Sequence, residues 1–307
     1  MLYLSHETPA FVEAAKRSMK GADYIICSHP YTFPLAREFA ESPIIYESHN
    51  VEYSLKKQML PSNVHSTKLA EKLFEVEGLA CKESSFTTVC TNDDAEVMNE
   101  LYGIDFRKIF EVPNGVDLET VHYTGPEERY KNKTRLGIEN VALALFMGSW
   151  HQPNIEAVMR IFEFAKRLPD MIFLIIGSIS LFFSGKPVPK NVGFMGVVDN
   201  VEKDCILSIV DVALNPMLTG SGTNMKMLDY LAAGVPVITT KIGARGLNIP
   251  EHLITLSEID QFTDHLSKPI EHEFVWEARR FVEAYYSWSH IAEKFMNRIV
   301  SPDKRED

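Results

Sequence analysis

Between residues 141 and 239, short unbroken apolar runs alternate with helix-spaced segments, a pattern that few architectures can accommodate. Residues 141–147, 171–176, 192–195, 211–215 and 235–239 read as strands. Residues 154–168 carry Ile155, Val158, Met159 and Phe162 at helical spacing, and 201–210 and 224–233 also read as helices. Strands without polar alternation, separated by helices, predict a parallel sheet covered on both faces. This half of the chain therefore predicts a Rossmann-like α/β domain.

The first part reads as α/β with fewer strands. Residues 24–27, 43–47, 86–90 and 109–112 look like strands, and 11–19, 67–84 and 93–102 like helices. The segment 113–140 is polar and turn-rich, as a boundary should be. A strand at 253–256 and one long amphipathic helix at 273–299 close the pattern. The expected organisation is a first domain over 1–120, a second over 121–272, and a terminal helix within 273–307 that crosses back to the first domain.

Composition narrows the function. Hydrophobic residues at 45% and charged residues at 24% are ordinary for a globular chain with a real core. Cys27, Cys81, Cys90 and Cys205 lack metal-ligand spacing and suit a reducing cytoplasm. The net charge of −11 argues against nucleic acid as a partner, because phosphate backbones are held by basic surface. No basic amphipathic helix argues for membrane attachment. A small anion needs only a local trap of amides and a few cations.

The stretch GSGTNMKMLDYLAAGVPVIT, residues 220–239, is such a trap in one reading. It follows a strand and opens a helix, at the end of an α/β sheet where ligands bind. Glycines let a ligand approach the backbone, and a helix start offers N–H groups. Lys226 and Asp229 share a helix face. In the functional reading Gly220–Thr223 and Lys226 hold a diphosphate while Asp229 accepts from a sugar hydroxyl. In the plain one, Thr223 caps the helix and Lys226 and Asp229 form a surface ion pair.

The neighbouring residues resemble the nucleotide-sugar site of family 4 glycosyltransferases, which have the GT-B fold. Gly220, Gly222, Thr223, Lys226, Leu228, Gly234, Pro236 and Val237 match the branch pattern GGGTRLKILEAxAxGxPVV, with Asp229 in place of Glu. GARGL at 243–247 stands where the branch has GAEGL. YESHNVEY (46–53), TTVCTNDDAEVMNELYG (87–103), VPNGVD (112–117), FMGSWHQPNIEAV (146–158), FMGVVDN (194–200) and YYSWSHIAEKFM (285–296) resemble further segments of the family in the same order.

The resemblance implies two Rossmann-like domains facing across a cleft and a retaining glycosyltransferase of polysaccharide or glycoconjugate synthesis. A nucleotide-diphosphate sugar would be the donor substrate and a saccharide or lipid-linked molecule the acceptor. Gly220, Ser221, Gly222, Thr223 and Lys226 would face the diphosphate, with Gly148 and Ser149 approaching from the other strand end. Asp229 would hold the ribose hydroxyls, main-chain groups near Val197 and Val198 the base, and His49 would lie near the transferred sugar. Lys226 and His49 are thus the expected catalytic residues. Neither a metal nor a separate cofactor is expected, and the expected location is the cytoplasm or the cytoplasmic face of a membrane.

Each role has a plainer rival. Taken alone, His49 reads more commonly as a core histidine bonded to a carbonyl, Asn92–Asp94 more simply as caps than as metal ligands, Trp150 and His151 as ligand stacking or loop cover, and Trp288 as packing. The loop 148–157 carries neither the Arg nor the Lys that many members place there, which leaves more of the charge to Lys226, with Lys241 and Arg245 as helpers. The first carboxylate of the family's Glu-x7-Glu pattern falls at Ser221. The resemblance begins near Ala22, without the opening strand and glycine-rich loop of the family. The first domain is therefore expected to be incomplete, and peripheral membrane contact or a partner chain that completes it stays open. Two alternatives remain: a non-catalytic or partner-dependent nucleotide-sugar-binding fragment, and another GT-B enzyme such as a nucleotide-sugar epimerase.

Overall fold

The apolar runs become parallel strands in two separate sheets, one in each of two units, Met1–Pro113 and Asn114–Asp307. The computed structural model describes residues 8–220 and 222–300, the last by its backbone.

The first unit runs α1 (Pro9–Met19), β1 (Ile25–Ser28), α2 (Phe33–Phe39), β2 (Ile44–Glu47), α3 (Glu52–Met59), α4 (Val64–Glu83), β3 (Phe86–Val89), α5 (Asn92–Tyr102) and β4 (Ile109–Glu111). The strands lie in sequence order, β1-β2-β3-β4, and every pair is parallel. Cys27, Tyr46 and Val89 from the sheet pack against Phe33, Ala36, Ala80, Met98 and Tyr102 from the helices. Helices α2 and α3 are absent from the sequence reading, since seven and eight residues are too few to display a clear apolar period. Helix α5 is capped one residue before the Asn92–Asp94 cluster, where Thr91 Oγ1 accepts from Asp94 N at 3.1 Å.

The second unit runs α6 (Pro126–Arg135), β5 (Ala142–Met147), α7 (Gln152–Arg167), β6 (Met171–Ile176), α8 (Ile179–Phe183), β7 (Val192–Gly196), α9 (Asn200–Leu207) and β8 (Val212–Asn215). It continues with α10 (Lys226–Ala232), β9 (Val237–Thr239), β10 (Thr255–Leu256), α11 (Phe262–Leu266), α12 (Val275–Tyr286) and α13 (Trp288–Val300). The strand order β10-β9-β8-β5-β6-β7 is that of a doubly wound sheet, entered at β5 and reversing direction between β5 and β8. Successive residues of β5 feed opposite layers: Leu143 and Leu145 join α9, α10 and α12, while Ala144 and Phe146 join α7, α8 and α11. Such two-sided burial is why these strands read as unbroken apolar runs.

Two expectations are corrected here. The polar segment 113–140 contains a helix, α6, which has little apolar surface and is anchored through buried cations instead. The Arg129 guanidinium donates to the carbonyls of Thr124, Leu207, Val210, Ala233 and Gly234. Lys133 Nζ sits 2.7 Å from Asp211 Oδ2 and 2.7 Å from Val141 O. The single long helix expected at 273–299 is two helices, α12 and α13, broken at Ser287, whose ψ of 138° is extended. There the chain pairs with Val116: Val116 N donates to Tyr286 O at 2.8 Å, and Trp288 lies over Gly115. A backbone bond to the linker replaces one helical turn.

Candidate functional site at the sheet reversal

The carboxyl ends of β5 and β8 flank the point where strand order reverses, and the loops that leave them carry the candidate residues. After β5, Gly148 N donates to Ile176 O at 2.9 Å and Gly148 O accepts from Ile179 N at 3.2 Å. Its N–H is therefore already committed to the sheet. A Cβ here would stand 2.8 Å from Phe146 Cε1 and 3.2 Å from Asn154 Cγ, so glycine is required for packing. Ser149 is exposed, and its carbonyl accepts from Asn154 Nδ2 at 2.8 Å.

After β8 the chain turns through Gly220, at φ 127°, and Gly222, at φ 69°, both in the range that glycine alone adopts freely. Ser221 lies outside the described residues. Arg245 gathers the carbonyls of this loop: Nη1 donates to Gly220 O at 2.7 Å, and Nη2 to Gly222 O at 2.9 Å. Because a trans peptide sets C=O and N–H in opposite directions, the Thr223 N–H points away from Arg245. Arg245 is thus placed to shape the loop through its carbonyls.

Helix α10 starts at Lys226, two residues later than the sequence suggests, because the approach is a chain of tight turns. Met225 N bonds Thr223 O at 3.1 Å, Met227 N bonds Asn224 O and Leu228 N bonds Met225 O, each at 3.0 Å. Those amides are taken, and Thr223 does not cap the helix. Its hydroxyl is buried without a hydrogen-bond partner among the described residues. An unmet buried hydroxyl costs about 1–3 kcal/mol.

Lys226 reaches back towards β5. Its Nζ donates to Asn154 Oδ1 at 3.0 Å and stands 4.2 Å from the centre of the Phe146 ring. Among the described residues no carboxylate pairs with it, and burial pushes its pKa down to about 7. Asp229 pairs with Lys203 instead, at 3.1 Å; burial raises its pKa and Lys203 partly offsets the rise. The surface Lys226–Asp229 pair of the plain reading is absent among the described ion pairs. Tyr230 is fully buried and its hydroxyl accepts from Met147 N at 2.8 Å, tying α10 to the end of β5. Val197 and Val198 follow β7 at the same sheet edge, Val197 74% exposed and Val198 half-buried against the core.

In the first unit His49 follows β2, half-exposed. Its Nε2 lies 3.4 Å from Glu47 Oε2 and its ring stands edge-on to His29, with centroids 4.6 Å apart. It is not a core histidine bonded to a carbonyl.

Sequence reasoning missed Asn154, Lys203 and His29. Asn154 had a signal, because it shares the apolar stripe of α7 with Val158, Ile161 and Phe162 and is itself buried. A polar residue on a core-facing stripe asks for a partner, and here that partner is Lys226. Lys203 sits on another helix and is joined to Asp229 only by the fold.

Known proteins corroborate the fold. Residues 142–272 match the family model described as "Glycosyl transferases group 1". An Escherichia coli protein named UDP-Gal:alpha-D-GlcNAc-diphosphoundecaprenol alpha-1,3-galactosyltransferase is 28% identical over 220 residues, 66% of this chain and 54% of its own. A phosphatidyl-myo-inositol mannosyltransferase of Mycobacterium leprae is 25% identical over 61% of this chain and 52% of its own. The chain spans about half the length of these curated relatives. Among solved structures, HepE from Anabaena in complex with UDP-glucose superposes with a TM-score of 0.71 at 14% identity, covering 97% of this chain and 84% of that one. Sucrose-phosphate synthase from Thermosynechococcus elongatus gives 0.75 at 17% identity, covering 98% and 80%. The fold is of the GT-B class, built from two Rossmann-like units, and residues 142–272 are similar to the group 1 glycosyl transferases.

Proposed function

We propose that this chain is a retaining, metal-independent glycosyltransferase that moves a sugar from a nucleotide-diphosphate sugar to an acceptor hydroxyl in polysaccharide or glycoconjugate synthesis. The observation that carries the reading is Lys226, a half-buried ammonium at the sheet reversal with an amide oxygen and a ring face for company but no counter-charge among the described residues. A diphosphate supplies that charge. The same anion offers acceptor oxygens to the unpartnered Thr223 hydroxyl and to the Thr223 N–H turned away from Arg245. In this reading the negative charge that grows on the β-phosphate as the glycosidic bond breaks is met by groups fixed beforehand, which lowers the barrier. Asp229, released from Lys203, holds the ribose hydroxyls, and the main chain at Val197 and Val198 meets the base. The lipid-phosphate acceptors in the relatives' names favour an acceptor of that kind, met at the cytoplasmic face of a membrane.

The test is a thermal-shift panel of uridine, guanosine and adenosine diphosphate sugars, followed by product analysis with NMR of the anomeric proton. One nucleotide series should raise the melting temperature, and Lys226→Ala should abolish the rise and lower kcat by about 10²–10³-fold, the usual loss on removing one donor to a developing anion. Unchanged nucleotide binding in Lys226→Ala, or inversion at the transferred carbon, refutes the reading.

A further inference from the structure

The turn that follows β9 grips the loop that follows β8 at its start, middle and end. At the start, Thr240 Oγ1 donates to Met217 O at 2.6 Å. In the middle, Arg245 donates to Gly220 O through Nη1 at 2.7 Å, and to Gly222 O through Nε at 3.1 Å and Nη2 at 2.9 Å. At the end, Asn224 Nδ2 donates to Gly243 O at 3.0 Å. Apart from Asn224, the loop is held by its main-chain carbonyls. These bonds fix the path of the backbone without engaging its N–H groups.

The turn holds its own shape. Gly243 N donates to Thr240 Oγ1 and Ala244 N to Thr240 O, both at 3.0 Å. Gly243 O also accepts from Asn215 Nδ2 at 2.9 Å. Asn215 ends β8 and is completely buried, and its carbonyl accepts from Thr239 Oγ1 at 3.3 Å. Gly243 admits no side chain: a Cβ would stand 2.3 Å from Thr239 Oγ1 and 2.6 Å from Asn215 O. The loop, by contrast, carries Gly220 and Gly222 at positive φ, and glycine loses more conformational freedom on ordering than any other residue. Without the turn this loop would spread over many shapes, few of which aim Thr223 at one place. A guanidinium suits the middle anchor because its planar fork spans two carbonyls, where an ammonium is a point charge.

We propose that the turn at 240–245 is the template for the glycine loop, and that Arg245 is a positioning residue for the donor. Its side chain holds the loop from behind, through the carbonyls, and does not touch the ligand. From sequence alone Arg245 reads as one more cation for the phosphate; here it acts on the loop instead, which gives the segment 243–247 its task. The proposal rests on the reading of this loop as the diphosphate site.

The experiment has a readout that needs no ligand. Hydrogen exchange of the full chain, read by mass spectrometry, should quicken in Arg245→Ala in the peptide that contains Met225, Met227 and Leu228, while β5 and β6 exchange as in the wild type. The second readout is titration calorimetry with UDP, GDP and ADP. Each residue that must be re-ordered on binding weakens affinity by about 5- to 30-fold, so Arg245→Ala should lose about that factor for the nucleotide the wild type binds. Arg245→Lys should lose nearly as much, although it keeps the charge. Millimolar guanidinium chloride should restore binding to Arg245→Ala, while the same concentration of KCl should not, and Lys226→Ala should not respond to guanidinium. Unchanged exchange in Arg245→Ala overturns the proposal, and so does full affinity in Arg245→Lys. If the wild type binds no nucleotide while exchange still quickens in Arg245→Ala, the donor reading falls and the template stands. If wild type and Arg245→Ala bind nucleotide alike, the donor reading stands and this proposal falls.

Discussion

In the proposed reading Lys226 makes nucleotide binding a proton-linked event whose size follows from its surroundings. Its pKa stands near 7, against an ordinary 10.5, because burial opposes the charge and no carboxylate among the described residues answers it. A bound diphosphate restores the charged form. At pH 8, about 0.9 of the free protein carries neutral Lys226, so each nucleotide bound should draw in about 0.9 proton. Above pH 7 the affinity should fall towards tenfold per pH unit, about 1.4 kcal/mol, until the pKa of the bound state is reached. Between pH 7.5 and 9 that amounts to a loss of roughly 24-fold at most. This window lies clear of the phosphate's own second ionisation near pH 6. The assay is isothermal titration in two buffers of unlike ionisation enthalpy, where the difference in apparent heat counts protons. Lys226→Met should bind weakly, with no proton uptake and a flat pH profile. Asn154→Asp should place a carboxylate beside the ammonium, keep it charged throughout the window and flatten the profile in another way. The linkage also fixes a stability trend. With the folded pKa depressed, the unfolded chain binds more protons between about pH 7 and 10.5, so the wild type should gain stability as pH rises through that window. Below pH 7 burial of the charge costs up to about 5 kcal/mol, less what Asn154 and the Phe146 face return, and Lys226→Met should recover part of that. Wild-type affinity that is level from pH 7.5 to 9, with no buffer-dependent heat, would refute the reasoning.

Two further perturbations separate site from scaffold. Asn154→Leu keeps the volume but removes the oxygen that holds Lys226 and the donor that holds the Ser149 carbonyl; nucleotide affinity measured at pH 7 should fall about tenfold, while the melting temperature changes far less than it does for a scaffold residue. Arg129→Met should destabilise the second unit by about 3–5 kcal/mol, read as a lowered midpoint in urea, because carbonyls from three parts of the chain lose their donor at once; nucleotide affinity of the folded fraction should not change.

The second sheet was legible because its strands are apolar on both faces, a requirement written residue by residue along Ala142–Met147 and Met171–Ile176. The loop glycines were legible as well, since glycine is the residue a positive φ demands. What escaped were contacts between residues far apart in the chain. Helix α6 looks like linker because its anchors, Arg129 and Lys133, are surface residues by type, and only the fold shows the carbonyls and the Asp211 carboxylate that receive them. The break at Ser287 is invisible in an unbroken amphipathic period, because its cause is Val116, far earlier in the sequence. In the candidate site, Gly148, Lys226 and the glycine turn could be read from the sequence. Asn154, the residue that joins them, could have been read only by asking why an asparagine interrupts an apolar stripe.

That question separates two kinds of buried polar group in this protein. Glu77, Arg129 and Lys133 are deeply buried, yet each is met by several partners within its own unit, and their work is to hold helices in place. Lys226, the Thr223 hydroxyl and the backbone of His29 depart from what folding favours: among the described residues, a cation without a counter-charge, a hydroxyl without a partner, and a side chain where glycine belongs. All three lie at the carboxyl ends of parallel strands. Folding free energy alone selects against each of them; in the proposed reading, ligand oxygens complete the ammonium and the hydroxyl.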